Sequence, residues 1–196
     1  MRKWMFNDRC GLTASVIREE KWKTRRDAEK VHIEYERGRK VGDFPTLTLK
    51  EYALRKCPYK VGEVVAVAQS YKQIRNHLGA MARCMINPFG SPREHPGWTN
   101  KMFVKAELMH HFVRITEIDF ERLQDISDED CLAEGVRRHG KGTFKVDGVR
   151  YNVTKRLRIF YTPRQAFECL IDKVCGKGTW ERNHYVYVYT FELVKE

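Results

Sequence analysis

The chain has 196 residues, with 37 Lys plus Arg against 26 Asp plus Glu and a formal net charge of +11. Hydrophobic residues make up 42% and aromatics 12%, too many for a disordered chain, and the length suffices for one domain with a self-supporting core. No run approaches the ~18 consecutive apolar residues of a membrane span, and the opening MRKWMFNDRC lacks the apolar stretch of a signal peptide, so a cytoplasmic protein with no membrane partner is expected, its charge pointing to a polyanion and first to nucleic acid.

In chain order, Thr13 is expected to cap a short helix reaching about Glu20. Val31, Ile33 and Tyr35 alternate with polar residues and predict a strand. Gly62 opens Glu63-Val-Val-Ala-Val-Ala68, a short apolar run typical of a buried strand. Residues 86–100 hold three prolines and two glycines and predict a loop. Phe112 to Leu123 is rich in β-branched and aromatic residues and predicts a long strand. Ser127-Asp-Glu-Asp130 has the capping-box pattern of a helix start, with the helix expected to run to Glu134 and stop at Gly135. Asp147-Gly148 between alternating segments predicts a hairpin turn. Thr162-Pro163 caps a helix with apolar positions Phe167, Leu170, Ile171 and Val174, ending at Gly176. Tyr185 to Val194 is apolar on both faces at its start and predicts a central strand. Strands joined by hairpins and single short helices fit a small, mostly antiparallel barrel or curled sheet with helices at its ends, not a parallel βαβ sheet.

The charge is unevenly spread. Residues 1–60 carry a net +7, 61–100 +2, 101–135 −5 and 136–196 +7. An acidic block thus sits inside a basic protein, either a solvated face or part of a site. Six cysteines (Cys10, Cys57, Cys84, Cys131, Cys169, Cys175) show no Cys-x-x-Cys pair and read as reduced thiols, mostly in the core. His32, His77, His95, His110, His111, His139 and His184 show no metal-ligand spacing. No metal and no cofactor are expected.

Two segments carry a family resemblance. The first is Arg18-Glu-Glu-Lys21-Trp-Lys23-Thr24-Arg25-Arg26. The second runs from Arg114-Ile-Thr-Glu-Ile118 through Glu121-Arg-Leu-Gln-Asp-Ile-Ser-Asp-Glu-Asp-Cys-Leu-Ala-Glu134-Gly135-Val136. Together they resemble the ASCH family of PUA-like β-barrels, in its larger form found in phages, prophages and mobile elements of bacteria. Gly62-Glu63-Val-Val65, Thr179-Trp180 and the Tyr185–Val194 run match further elements of that pattern. The resemblance covers both ends and the centre of one domain spanning 1–196, with segments 37–58 and 70–100 as insertions. It implies an α+β, mainly β fold: a PUA-like small antiparallel β-barrel with flanking short helices. It also implies a pocket between the N-terminal Lys/Thr segment and the acidic helix, and RNA or a modified nucleobase or nucleoside as partner. Small ASCH members include amidohydrolases that deacetylate N4-acetylcytidine with a Lys, a Thr and a Glu. Position by position these fall on Lys21, Thr24 and Glu134. Glu19, Glu20 and Trp22 depart from the family's Gly, Arg and Thr.

The residues support part of this by themselves. A Thr hydroxyl needs a base, and Lys serves only when burial or nearby cations lower its pKa; Lys23, Arg25 and Arg26 are close in sequence. Lys21 and Thr24 share a face if the turn there is helical, and point apart if it is extended. The competing reading of this segment is a solvated basic turn. Glu134 stands at a helix C-terminus, unfavourable for a carboxylate unless it faces solvent or a cation. Asp128, Glu129 and Asp130 are accounted for as helix-start carboxylates. For nucleic acid, Lys23, Arg25, Arg26, Lys155, Arg156 and Arg158 offer phosphate contacts, and Tyr71 and Trp98, with Phe103 and Trp180, offer stacking faces; an ordinary basic surface and ordinary packing are the alternatives. The function expected is recognition of RNA or a modified nucleoside. Its rivals are an N4-acetylcytidine-type amidohydrolase and a protein-interaction module of a mobile element.

Overall fold

The computed structural model describes residues 1–42, 46–75, 96–151, 154 and 156–195. In chain order the elements are β1 (Lys3–Trp4), α1 (Leu12–Ile17), β2 (Lys23–Asp27), α2 (Glu29–Lys40), α3 (Leu49–Lys56), β3 (Val64–Val67), α4 (Tyr71–Ile74), β4 (Phe112–Arg122), α5 (Asp128–Ala133), β5 (Arg137–Arg138), β6 (Phe144–Arg150), β7 (Leu157–Phe160), α6 (Pro163–Cys175), α7 (Thr179–Arg182) and β8 (Tyr185–Leu193). The fold is α+β. A five-stranded mixed sheet has the order β1-β3-β4-β8-β2, and a three-stranded antiparallel sheet has the order β5-β6-β7. Only the β1–β3 pair is parallel.

The long strand expected over 112–123 and the strand expected from Tyr185 form as β4 and β8, paired antiparallel from Val113↔Leu193 to Arg122↔Tyr185 with one bulge at Ile115–Glu117. β8 lies inside the sheet, with β4 on one side and β2 on the other. Val186, Tyr187, Val188 and Tyr189 are all buried, so both faces of β8 are covered as well as both edges. Trp4, Tyr59, Tyr189 and Phe191 pack ring on ring at 5.3–5.6 Å in the main core. Helix α6 forms as its sequence dictates. Thr162 accepts from Gln165 N, Pro163 starts the first turn, and Ala166, Phe167 and Leu170 face the core before the chain leaves at Gly176.

Three expectations are corrected. Residues 31–35 are helical, not a strand. Val31, Tyr35 and Gly38 fall at i, i+4 and i+7 on the inward face of α2, while Ile33 is exposed. Glu29 in the first turn and Arg37, Arg39 and Lys40 in the last turn suit the helix dipole. The helix expected from Thr13 to Glu20 is capped by Gly11, not by Thr13, and ends at Ile17; Glu19, at φ 58°, then turns the chain. Asp147-Gly148 is no hairpin turn but the interior of β6. Gly148 has φ 74°, and a Cβ there would stand 1.8 Å from Arg9 O, so close backbone approach selects the glycine. Beyond these, the described strands close no barrel. β1 and β2 are the two edges of the sheet and are not hydrogen-bonded to each other.

The expected insertions are described only in part. In the first, Tyr52 Oη bonds Glu34 at 2.7 Å, and Ala53 O accepts from Tyr187 Oη at 2.8 Å, tying α3 to α2 and β8. In the second, Tyr71 and Ile74 join Ala66, Val104, Ala106 and Met109 in a smaller cluster. Of the expected loop, 86–95 lies outside the described residues, as do His77, His95 and Cys84. The other five cysteines are free thiols. Among the described residues no helix is long and apolar enough to cross a membrane.

Candidate functional site

The site is built around β2, an edge strand of the five-stranded sheet. After Glu19 turns the chain, Glu20 N and Lys21 N both bond Ser15 O, and Trp22 bridges Ala133 O and Phe191 N. This directs Lys21 inward and leaves Trp22 exposed. β2 begins two residues later and pairs with β8 in the register Thr24↔Tyr189. On the other side, Ser127 caps the start of α5 and Glu134 is the C-cap residue that follows its last turn. Gly135 follows at φ 109°, where a Cβ would meet Leu12 at 2.9 Å and Lys21 Cδ at 3.8 Å. The glycine therefore turns the helix end and leaves room for the Leu12 side chain.

Lys21 is almost completely buried, at 2% exposure. Its Nζ donates to Lys23 O at 2.6 Å, to Glu134 O at 3.0 Å and to Glu134 Oε2 at 2.5 Å. Arg25 Nη1 reaches the other oxygen of Glu134 at 3.3 Å, and Nη2 reaches Glu121 at 2.6 Å and Asp130 at 2.8 Å. Lys23 takes the second oxygen of Asp130 at 2.7 Å. The carboxylate at the negative end of its helix is thus held by two buried cations. Burial pushes the Lys21 ammonium below the ordinary lysine value, with Arg25 and Arg26 adding to the effect and Glu134 opposing it. For Arg25, burial works against the charge, but Glu134, Asp130 and Glu121 outweigh it and hold the guanidinium above its ordinary value. Asp130 lies below the ordinary carboxylate range: burial raises it, but Lys23 and Arg25 pull it further down.

Lys21, Thr24 and Glu134 border one cavity of about 70 Å³, together with Arg25, Arg26, Phe6 and the α6 residues Phe167, Leu170, Ile171, Val174 and Cys175. The sequence left open whether an extended segment would separate Lys21 from Thr24. The segment is extended and both still reach the cavity, because Lys21 lies before the strand and not in it. Thr24 Oγ1 makes no hydrogen bond with any described residue, Lys21 included. An adjoining cavity of about 130 Å³ shares Arg25, Ile171 and Cys175 and is also bordered by Asp27, Thr179, Arg182 and His184.

Of the residues singled out for nucleic acid, Lys23, Arg25 and Arg26 belong to this cluster. Lys155 lies outside the described residues. Arg156 is exposed, and Arg158, also exposed, lies 5.0 Å from the Phe160 ring beside a separate cleft of about 450 Å³ with Tyr151 and Tyr161. Tyr71 is buried in the smaller cluster and Trp98 packs against that cluster, so neither ring lines the cavity. Trp180 is buried against Phe167, and Phe103 is exposed. Among the described residues no group of His, Cys, Asp and Glu is placed to hold a metal ion.

Sequence reasoning missed Glu121 as a site residue and read Asp130 only as a helix-start carboxylate. One local signal was available: Asp130 and Glu134 are four apart on one helix face, a repulsive pair that calls for a cation between them. Glu121 has no comparable signal, since it meets Arg25 across 96 residues of chain. Comparison with family models, curated proteins and solved structures finds no match for this chain.

Proposed function

We propose that the chain binds a modified nucleobase or nucleoside, free or carried by RNA, across the cavity beneath Glu134 and the one adjoining it, as an ASCH-type PUA-like protein. The observation that carries this reading is convergence. Lys21 and Glu134, 113 residues apart, form a buried pair at the rim of a cavity that also holds the unspent Thr24 hydroxyl. Such a site combines acceptors for an exocyclic amine on Glu134 with a hydroxyl of either polarity on Thr24. Exposed Arg156 and Arg158 supply backbone contacts if the ligand is carried by RNA.

A second reading is amide hydrolysis, favoured by the lowered pKa of Lys21. There the neutral Lys21 amine takes the Thr24 proton and Oγ attacks the acyl carbon. The amide C–N bond breaks, the proton taken from Thr24 passes from Lys21 through the Glu134 carboxylate to the departing amine, and water hydrolyses the acyl-threonine to free the acid. In the structure all three Lys21 N–H groups are engaged and none points to Thr24 Oγ1, so this chemistry requires the ammonium to lose a proton and turn.

Incubation with N4-acetylcytidine, followed by chromatography for cytidine and calorimetry for binding, separates the two. Saturable binding without cytidine release supports the binding reading. Release that disappears in Thr24→Ala and Glu134→Gln supports hydrolysis. Neither binding nor release, for this nucleoside and for single-stranded RNA carrying it, sinks both. For RNA, the logarithm of the binding constant should fall linearly with that of salt concentration; a flat line removes the phosphate contacts.

A further inference from the structure

Arg26 is the unmatched cation of the cluster. The ion pairs of the site join Lys21, Lys23 and Arg25 to Glu121, Asp130 and Glu134. Among the described residues no carboxylate lies within ion-pair distance of Arg26. Its Nη2 donates to Met5 O at 3.2 Å, and its guanidinium carbon lies 5.8 Å from the Trp4 ring centre and 5.5 Å from that of Phe6. Its Nε is sealed from solvent and has no acceptor among the described residues. A guanidinium offers five N–H donors in a rigid fork, so most of this one is unspent, and a buried donor without an acceptor is unfavourable. The aromatic rings fix the plane of the fork without satisfying it.

The same residue borders the cavity with Thr24. Its volume of about 70 Å³ is small beside the ~300–1,000 Å³ of ordinary ligand pockets. That suits a carboxylate or a phosphate group at one end of a larger ligand. The adjoining cavity supplies the missing space, and there too a buried polar atom, His184 Nδ1, lacks a partner.

We propose that Arg26 is an oxyanion-binding element: the ligand of this cavity presents a carboxylate or phosphate group to the Arg26 fork, and its remainder extends past Arg25 and Cys175 into the space beside His184. This rests on the cavity being a ligand site and narrows the ligand from a neutral nucleoside to an oxyanion-bearing one. Bidentate contact suits the fork, which Lys would not reproduce.

The test is calorimetric titration of the intact protein with inorganic phosphate, acetate, cytidine 5′-monophosphate and cytidine, with ionic strength held constant by sodium chloride. Saturable binding of phosphate, with the monophosphate at least about tenfold tighter than cytidine, is expected for a nucleotide ligand. Preference for acetate instead assigns the oxyanion to a carboxylate. Arg26→Met should weaken the bound oxyanion by about tenfold or more and leave the near-ultraviolet circular dichroism unchanged. Arg26→Lys, which keeps the charge and loses the fork, should weaken it several-fold. Cytidine binding without any oxyanion preference overturns this inference and leaves the cavity reading standing. Absence of binding by all four overturns both. Unchanged oxyanion affinity in either variant overturns the role of Arg26.

Discussion

Among the described residues two lysines are buried, and both lie against Phe6. Lys21 Nζ lies 5.8 Å from the Phe6 ring, and Lys101 Nζ donates to Phe6 O. Each ammonium has three acceptors, and each neighbourhood holds a carboxylate and a threonine. Lys101 bonds Asp8 at 2.8 Å and Thr13 Oγ1 at 2.9 Å. By residue type alone Lys101, Thr13 and Asp8 form the better Lys–Thr pair, since Lys21 and Thr24 are not bonded to each other. The difference lies in what is left over. Thr13 accepts from Lys101 and donates to Asp8, and neither Thr13 nor Lys101 borders the cavity beneath Glu134 or the one beside His184. Thr24 is unspent and faces open space. A buried ammonium with good partners is a fastening, here one that ties residues 101–103 to the N-terminal segment. It becomes a candidate site only where a cavity and an unused group accompany it.

The largest expected effect separates the two carboxylates. Glu134→Ala leaves Lys21 and Arg25 buried without their shared anion and should cost about 3–5 kcal/mol in urea denaturation. Asp8 is half-exposed, so water replaces it at Lys101, and Asp8→Ala should cost about 1 kcal/mol. Equal losses would break the comparison. The threonines should divide the other way. Thr13→Ala removes a bonded hydroxyl and should cost about 1–2 kcal/mol. Thr24→Val, which removes the hydroxyl and keeps the shape of this buried side chain, should change stability by less than about 0.5 kcal/mol while abolishing ligand binding or turnover. A stability loss at Thr24 matching that at Thr13 would mean that its hydroxyl is structural.

What the sequence disclosed depended on how local the cause was. Helix α6 was legible because Thr162, Pro163 and Gly176 fix its ends within a few residues of the positions they cap. β4 and β8 were legible because both are long and dense in β-branched and aromatic residues. Residues 31–35 misled because Val31 and Tyr35, at helical i and i+4, also satisfy strand alternation once Ile33 stands between them. Asp147-Gly148 misled because its glycine answers a contact with Arg9, 139 positions earlier in the chain. For the site, the family resemblance pointed to Lys21, Thr24 and Glu134, and the structure brings them to one cavity. The clamp of Glu121 and Asp130 on Arg25, and the unmatched Arg26, follow from strand register and from the unclosed sheet edge, neither of which is written in any short segment.

The pH dependence sharpens the contrast further, at smaller amplitude. Burial holds Lys21 below the 10.5 of a free lysine, so between its folded value and 10.5 the unfolded chain binds more protons than the native one. Stability must therefore rise with pH through that window and be lost as pH falls back through the folded value. Wild type should gain on Lys21→Met as pH rises toward 10.5; a difference that stays constant would mean that the ammonium is not held below its free value. Asp130 works at the acid end. Its folded value lies below the 3.8 of a free aspartate, because Lys23 and Arg25 overcome the opposing effect of burial. Its contribution is fully present above 3.8 and fades as pH falls through the folded value. Asp130→Asn should therefore show a shallower acid limb than wild type, and Lys23→Met should take part of the same slope because it removes one of the two cations that hold Asp130 down. An acid limb left unchanged by both would show that the carboxylate clamp does not restrain the cations at the cavity rim.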